Sequence, residues 1–131
     1  MITRETLIPY ILTIEPNFEQ FCEEQRKYWG MQSTHRDMAS FSIFIQERLK
    51  SGNYESTLTV FNAIESLLTG TNADEEVKNA VCTSFLENLL HYYSDGSIPS
   101  ESFIPFLGPE SREYCKSWEE FTGVKTPGLW E

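Results

Sequence analysis

The chain has 131 residues, a length that fits one domain and allows roughly two-thirds of the unfolded chain's surface to be buried. A composition of 40% hydrophobic and 14% aromatic residues excludes intrinsic disorder as the state of the whole chain. The 20 acidic and 10 basic residues give a formal charge of −10. We therefore expect a basic protein as partner and no direct nucleic-acid ligand, because phosphate binding requires clustered Lys and Arg.

Helical spacing of apolar residues predicts two helices before residue 30. Thr6 is placed to cap the first, and Pro9 is tolerated in its opening turn, where a backbone N–H has no intrahelical partner. Pro16 starts the second helix and Gly30 ends it. We expect one face of the second helix to carry Phe18, Phe21, Cys22, Gln25, Tyr28 and Trp29.

A polar connector, residues 31–35, leads to a third helix from about Arg36 to Lys50. The apolar residues Met38, Phe41, Ile45 and Leu49 recur in it every three or four positions. Ser51-Gly52-Asn53 is a stop signal, after which Tyr54 is expected to open the next helix.

The stretch from Val60 to Leu90 predicts the hairpin around which the other helices pack. Its two apolar stripes are Val60, Phe61, Ile64, Leu67 and Leu68 in the first arm, and Val77, Val81, Phe85, Leu86, Leu89 and Leu90 in the second. Two helices with matching stripes and a short connection pack antiparallel.

Capping signals mark the turn of this hairpin. Gly70 is expected to end the first arm in a left-handed conformation. Thr71 or Asn72 can cap the second arm, and Asp74, Glu75 and Glu76 are expected in its first turn, where acidic side chains meet the positive end of the helix dipole.

The rest of the chain predicts a turn, a short apolar segment and a last helix. The turn follows Tyr92 and Tyr93, and the short apolar segment is Ser102 to Leu107. The last helix runs from Glu110 to about Thr122, with Tyr114, Trp118 and Phe121 facing inward, and Gly123 ends it. The tail is expected to be extended, with Leu129 or Trp130 either anchored or loose.

These elements predict an all-α fold and a single domain over residues 1–131. We expect a compact, irregular bundle of about six helices built on the central hairpin. Its helix pairs are HEAT-like in style only, because the sequence does not repeat with a fixed period.

Cysteine use and hydropathy indicate a cytoplasmic protein. The chain has three widely spaced cysteines, Cys22, Cys82 and Cys115. Because their number is odd and their spacing wide, we expect reduced thiols that pack as small hydrophobic groups. No run of 18 apolar residues suggests a membrane span, and the N-terminal sequence is not that of a signal peptide, since Glu5, Pro9 and Glu15 interrupt its apolar patch.

A catalytic or metal function finds little support in the sequence. His91 lies four residues after Glu87, so the two share a helix face, and with Glu65 on the facing helix they are the one conceivable metal site. Bundle metal sites use about four to six inward-facing ligands. We therefore expect that the protein is not an enzyme and binds no metal or cofactor. Glu65 is expected to form a structural hydrogen bond to a neighbouring helix.

The second half of the chain is the better candidate for contact with a cationic partner. Residues 1–65 carry 9 acidic and 6 basic residues, a net −3, whereas residues 66–131 carry 11 and 4, a net −7. Exposed aromatic residues in an acidic surface can act as anchors, although a solvated helix face or a helix start explains the same acids. The candidate contact residues are Asp74, Glu75, Glu76, Tyr92, Tyr93, Asp95, Glu110, Glu113, Glu119 and Glu120.

Three blocks in the second half carry a family resemblance: VFNAIESLL, DEEVKNAVCTSFLENL and FLGPESREYCKSWEEFTG. They resemble small, acidic, all-helical bacterial proteins that serve as immunity proteins in contact-dependent growth-inhibition and related polymorphic toxin systems. The resemblance spans about residues 60–123.

The resemblance implies stoichiometric inhibition of a cognate toxin domain in the cytoplasm. Many such toxins are nucleases with basic substrate clefts, which an acidic protein can occupy or cover. The alternative is a helical adaptor or regulatory protein that binds an endogenous cytosolic partner. The sequence leaves open which toxin is bound, which residues contact it, and the oligomeric state.

Overall fold

The computed structural model describes residues 1–30 and 32–131, and over these residues the fold is all-α. Its α-helices are α1 (Leu7–Ile14), α2 (Phe18–Trp29), α3 (Thr34–Lys50), α4 (Thr57–Leu68), α5 (Glu75–Val81), α6 (Glu87–Ser94) and α7 (Pro109–Thr122). Two short 3₁₀ turns, Ser100–Ser102 and Ile104–Phe106, lie between α6 and α7.

The predicted hairpin is present. Its first arm is α4, and its second is a continuous rod made of α5, a π-helical segment (Cys82–Leu86) and α6. The rod packs against α3 on one side, while α4 packs against α5 and α7. The compact all-α bundle expected from the sequence is therefore confirmed. The described residues form seven α-helices, where about six were expected, because the second arm contains both α5 and α6.

The apolar stripes of the hairpin form the centre of one contiguous core. Every residue of the second stripe is buried, as are all of the first except the half-buried Leu68. Aromatic rings connect the layers, because Phe85 of the π-helical segment lies 5.5 Å from Phe41 of α3 and 6.0 Å from Phe61 of α4, centroid to centroid.

The N-terminus is joined to the turn of the hairpin. Ile2 forms an isolated parallel bridge with Ala73. The N–H of Ile2 donates to the carbonyl of Asn72 at 2.7 Å, and the carbonyl of Ile2 accepts from the N–H of Asp74 at 3.0 Å. The bridge therefore ties the N-terminus to the residues that lead into α5.

Several helix starts differ from the sequence expectation. Helix α2 begins at Phe18, two residues after Pro16, and α4 begins at Thr57, three residues after Tyr54. Helix α3 begins earlier than expected because Ser33 caps it, accepting from the Arg36 N–H at 3.1 Å. Within the connector predicted at residues 31–35, Met31 lies outside the described residues.

The turn of the hairpin also needs correction. Gly70 is left-handed as expected, with φ 56°, but Thr69 is the residue that caps α4. The N-cap of α5 is Asp74, whose side chain accepts from the Val77 N–H at 2.9 Å. Asn72 is not the cap, because its side chain donates instead to the carbonyl of Ser66.

Three aromatic residues expected to face inward lie on the surface. Tyr28 and Trp29 are 78% and 50% exposed, and Phe121 is 90% exposed. Tyr28 and Trp29 belong to the last turn of α2, beyond the point where Arg26 meets Asp37 in the first turn of α3. Phe121 lies in the last turn of α7, whose buried positions are Ser111, Cys115 and Glu119.

The three cysteines are free thiols, with Cys22 and Cys115 buried and Cys82 half-buried. Burial raises the pKa of Cys22 and of Cys82 to about 11 and that of Cys115 to about 12, so all three are protonated at neutral pH. Among the described residues, no helix has both the length and the apolar character that crossing a bilayer requires.

Candidate functional site

Part of the predicted contact region lines a groove between α5 and α7, which we call the acidic groove. It has a volume of about 440 Å³. Its acidic residues are Glu75, Glu110 and Glu113, and Leu68, Cys82 and Tyr114 add apolar and aromatic surface. Three of the ten predicted contact residues are thus brought together here.

Two of the three glutamates lie at helix starts, and Glu113 lies about one turn further along α7. Glu75 is the first residue of α5, directly after the cap Asp74. Glu110 lies in the first turn of α7, where its backbone N–H donates to Oε2 of Glu65 at 2.8 Å. Their backbone positions are therefore fixed, while all three side chains remain exposed to solvent.

The basic residues near the groove neutralise little of its charge. Lys78 lines the groove, but its Nζ donates to the carbonyl of Gly70 at 2.5 Å. The Nζ of Lys116 lies 3.8 Å from Oε1 of Glu113, which is long for an ion pair, and the Glu113 side chain is exposed to solvent. In the part of the chain that the structure describes, Glu75 and Glu110 form no ion pair.

Tyr114 joins the wall of the groove to the rod behind it. Its hydroxyl donates to Oε2 of Glu87 in a short hydrogen bond. Burial and this hydrogen bond to a carboxylate raise the pKa of Tyr114 well above its ordinary value. The ring is thereby fixed as a neutral, rigid aromatic surface.

Glu76 lies on the other side of α5, away from the acidic groove. It accepts from Oγ1 of Thr34 at 2.7 Å and lines a second groove of about 490 Å³ with Arg4, Glu5 and His35. Adjacent residues of a helix point in directions about 100° apart. Glu75 and Glu76 therefore belong to different surfaces, and Asp74 is a helix cap.

Tyr92, Tyr93 and Asp95 lie at the far end of the rod, where α6 ends. Both tyrosines are half-buried and pack against the core. Asp95 closes the following turn by accepting from the N–H and Oγ of Ser97 at 2.9 and 2.5 Å, and the hydrogen bonds from Ser97 lower its pKa. These residues are not part of the acidic groove.

Glu119 contradicts the expectation that it lines the outer face of α7, because its side chain is fully buried. Its Oε1 accepts from the indole N–H of Trp130 at 2.8 Å, and its Oε2 has no hydrogen-bond partner among the residues that the structure describes. The tail folds back to cover it: Leu129 is buried, and Arg112 donates to the carbonyls of Gly128 and Leu129. Its neighbour Glu120 is exposed.

The conceivable metal site is divided among three separate contacts. Glu65 uses both oxygens to accept from the backbone at the start of α7, Glu87 accepts from Tyr114, and His91 packs edge-on against Trp118. Among residues 1–30 and 32–131, no group of three or more His, Cys, Asp and Glu side chains could hold a metal ion.

A family model described as a domain of unknown function (DUF7674) matches residues 8–123. The chain belongs to this family. The match covers all seven α-helices of this DUF7674 chain apart from Leu7, and so includes the whole acidic groove. No curated protein matches the chain. No solved structure matches it either.

Two features of the site were missed at the sequence level. The contribution of Tyr114 to the groove depends on a hydrogen bond to Glu87, 27 residues earlier, which no local pattern reveals. The inward position of Glu119 could have been predicted from the sequence, because Glu119 continues the four-residue spacing of Ser111 and Cys115 along α7.

Proposed function

We propose that the protein is an immunity-type binding protein that neutralises a cognate toxin domain in the cytoplasm by stoichiometric inhibition. In this proposal the acidic groove receives a basic part of the toxin, such as the substrate cleft of a nuclease. The observation that carries the proposal is the placement of Glu75, Glu110 and Glu113 around one groove with little basic compensation.

Charge complementarity supports a basic partner. The protein carries a formal charge of −10, and a field of that sign accelerates encounter with a cationic surface and disfavours other acidic proteins. Lys or Arg side chains from the partner would replace the water that now solvates the three glutamates. Tyr114 and Leu68 offer the less polar surface that such a contact also uses.

The location of the resemblance also supports the proposal. The blocks VFNAIESLL, DEEVKNAVCTSFLENL and FLGPESREYCKSWEEFTG form most of α4, the rod and α7, respectively. Those are the elements that build the groove and hold its glutamates in place. The part of the chain that resembles immunity proteins is therefore also the part that presents the acidic surface.

Growth rescue tests the function directly. The toxin domain encoded beside the gene would be expressed from an inducible promoter, with and without this protein, and complex formation would be followed by co-purification and chromatography with light scattering. We expect growth to be restored and a complex of fixed stoichiometry to form. Failure to rescue growth from any neighbouring toxin would contradict the proposal and favour the helical adaptor.

Association kinetics test the role of the groove. The triple variant Glu75→Gln, Glu110→Gln and Glu113→Gln is compared with Glu47→Gln, Glu55→Gln and Glu101→Gln, which alters three exposed glutamates outside the groove. Both variants change the formal charge from −10 to −7.

We expect the groove variant to associate about tenfold more slowly at low salt, with a weaker dependence on ionic strength, because steering depends on charges close to the contact. The control should lose much less. Equal rates in the two variants would show that only net charge matters and would exclude the groove as the contact.

A further inference from the structure

The end of α2 carries an exposed aromatic cluster that the acidic groove does not include. Tyr28 is 78% exposed and Trp29 50% exposed. Their ring centroids lie 5.2 Å apart with the planes at 88°, and the Arg36 guanidinium lies 4.3 Å from the centroid of Trp29. We call Tyr28, Trp29 and Arg36 the aromatic–cation patch.

The patch is ordered by the junction of two helices. Gly30 ends α2 in a left-handed conformation with φ 70°, and Ser33 caps α3, which places Arg36 in the first turn. Arg26 and Asp37 join the two helix ends through hydrogen bonds of 3.1 and 2.9 Å. A partner would thus meet side chains that are already arranged, which lowers the entropy lost on binding.

The composition of the patch is that of a binding surface. Tyr, Trp and Arg are the residue types enriched among the residues that dominate protein–protein affinity. Core packing does not account for their position. Tyr28 and Trp29 are each at least half exposed, and neither belongs to the contiguous core.

The stretch of sequence that contains the patch is basic, although the protein as a whole is acidic. Residues 25–36 contain Arg26, Lys27 and Arg36 and no acidic residue. Arg26 is paired with Asp37. Within residues 1–30 and 32–131, neither Lys27 nor Arg36 forms an ion pair, so both can bind carboxylates of a partner.

We propose that the aromatic–cation patch is a docking surface for an acidic segment of a partner protein. Carboxylates of that segment pair with Arg36 and Lys27, and its apolar atoms cover Tyr28 and Trp29. A nucleic acid fits less well, because two unpaired cations on a protein of charge −10 are few against a phosphate backbone. This surface is separate from the acidic groove and does not depend on the toxin proposal.

Selection from a displayed library of random 12-residue peptides, with the whole protein as bait, tests the partner chemistry. We expect the selected peptides to be enriched in Asp and Glu. A fluorescein-labelled copy of the best peptide is then titrated by fluorescence polarisation, and its affinity is expected to weaken on addition of salt.

Substitutions locate the binding surface. We expect Trp29→Ala and Arg36→Glu each to weaken peptide binding at least tenfold. Tyr28→Ser, at a largely exposed position, provides a third variant that should also weaken binding. Thermal melts confirm that each variant is folded. The matched control is Tyr54→Ala, another exposed aromatic residue, outside the patch, which should leave the affinity unchanged.

Several results would overturn the proposal. One is a library that yields no enrichment of acidic peptides. Another is an acidic peptide that binds Trp29→Ala and Arg36→Glu as tightly as it binds the unaltered protein. A third is a labelled (dT)₁₂ oligonucleotide that binds the patch more tightly than the acidic peptide does. Self-association that Arg36→Glu abolishes would assign the patch to a second copy of the chain, and would overturn it as well.

Discussion

Ser111 donates two hydrogen bonds to Glu65, one from its backbone N–H and one from its Oγ, each 2.9 Å from Oε1 of the carboxylate. The other carboxylate oxygen accepts from the N–H of Glu110. A side chain of α4 therefore supplies the N-terminal cap that α7 lacks, since Gly108 at the cap position has no side chain. This contact fixes the two helices relative to each other and positions one wall of the acidic groove.

We predict that Glu65→Ala lowers the free energy of unfolding by about 1–3 kcal/mol, because it removes three charge-assisted hydrogen bonds at a helix start. Chemical denaturation followed by circular dichroism measures the change. Glu55→Ala, an exposed glutamate, is the control and should change stability by less than about 0.5 kcal/mol.

We also predict that Gly108→Ala is destabilising although Gly108 has an ordinary φ of −77°. The added Cβ would lie 2.6 Å from Oε1 of Glu65, so the carboxylate has to move. In the Glu65→Ala background the same substitution should cost much less, and the double-mutant cycle measures the difference. A cost that is unchanged in that background would exclude a steric effect on the cap.

The sequence was sufficient to predict the helices, since their apolar spacing and most of their glycine stops survive in the structure. It did not predict the π-helical segment, although a signal exists. Val77, Val81, Phe85 and Leu89 recur every four residues, and in a straight α-helix each such step turns the stripe by about 40°. A π-helical turn contains more residues, so it rotates the stripe back toward its starting direction. All four side chains are buried in the same core.

The candidate site could be predicted only in part, because local spacing does not report what covers a helix face. Glu75, Glu110 and Glu113 meet because the Glu65 contact fixes α7 against α4. Glu119 is hidden because a tail of irregular structure returns over α7. Trp29 is exposed because it lies in the last turn of α2, beyond the contact between Arg26 and Asp37. Each outcome depends on contacts between residues distant in sequence or on where a neighbouring element ends.

The ion pair between Arg26 and Asp37 predicts unequal effects of its two truncations. The Asp37 side chain is 7% exposed, whereas that of Arg26 is 31% exposed. Arg26→Ala leaves a buried carboxylate without its partner, and we expect it to destabilise the fold by about 3–5 kcal/mol. After Asp37→Ala the guanidinium can still reach water, so the loss should be smaller. Thermal and chemical denaturation compare the two, and an equal loss in both would contradict this account.

Asn88 is predicted to stabilise the π-helical segment. Its Nδ2 donates to the carbonyl of Ser84 at 2.8 Å and to Oγ of Ser42 on α3 at 3.2 Å. Asn88→Ala removes both bonds, and we expect a loss of about 1–3 kcal/mol together with faster amide exchange in the rod. Asn79→Ala, at an exposed position on the same rod, is the control. Unchanged exchange in Asn88→Ala would show that the segment does not depend on this side chain.

The buried thiols predict a loss of stability in alkali. Cys115 has an ordinary pKa of 9.0, which burial raises to about 12 in the folded protein. Between these values the unfolded chain has lost the thiol proton while the folded chain retains it. Because the unfolded state then binds fewer protons, the free energy of unfolding falls as pH rises, and the full contribution is present only below about pH 9.

Urea denaturation at pH 8, 9, 10 and 11 measures this slope in the unaltered protein and in Cys115→Ala. The substitution leaves a small cavity, which lowers stability at every pH, so the slopes are compared and not the absolute values. We expect the slope above pH 9 to be shallower in the variant, by at most about 1.4 kcal/mol per pH unit. Identical slopes would mean that the Cys115 thiol ionises as readily in the folded chain as in the unfolded one, which its burial at 1% exposure argues against.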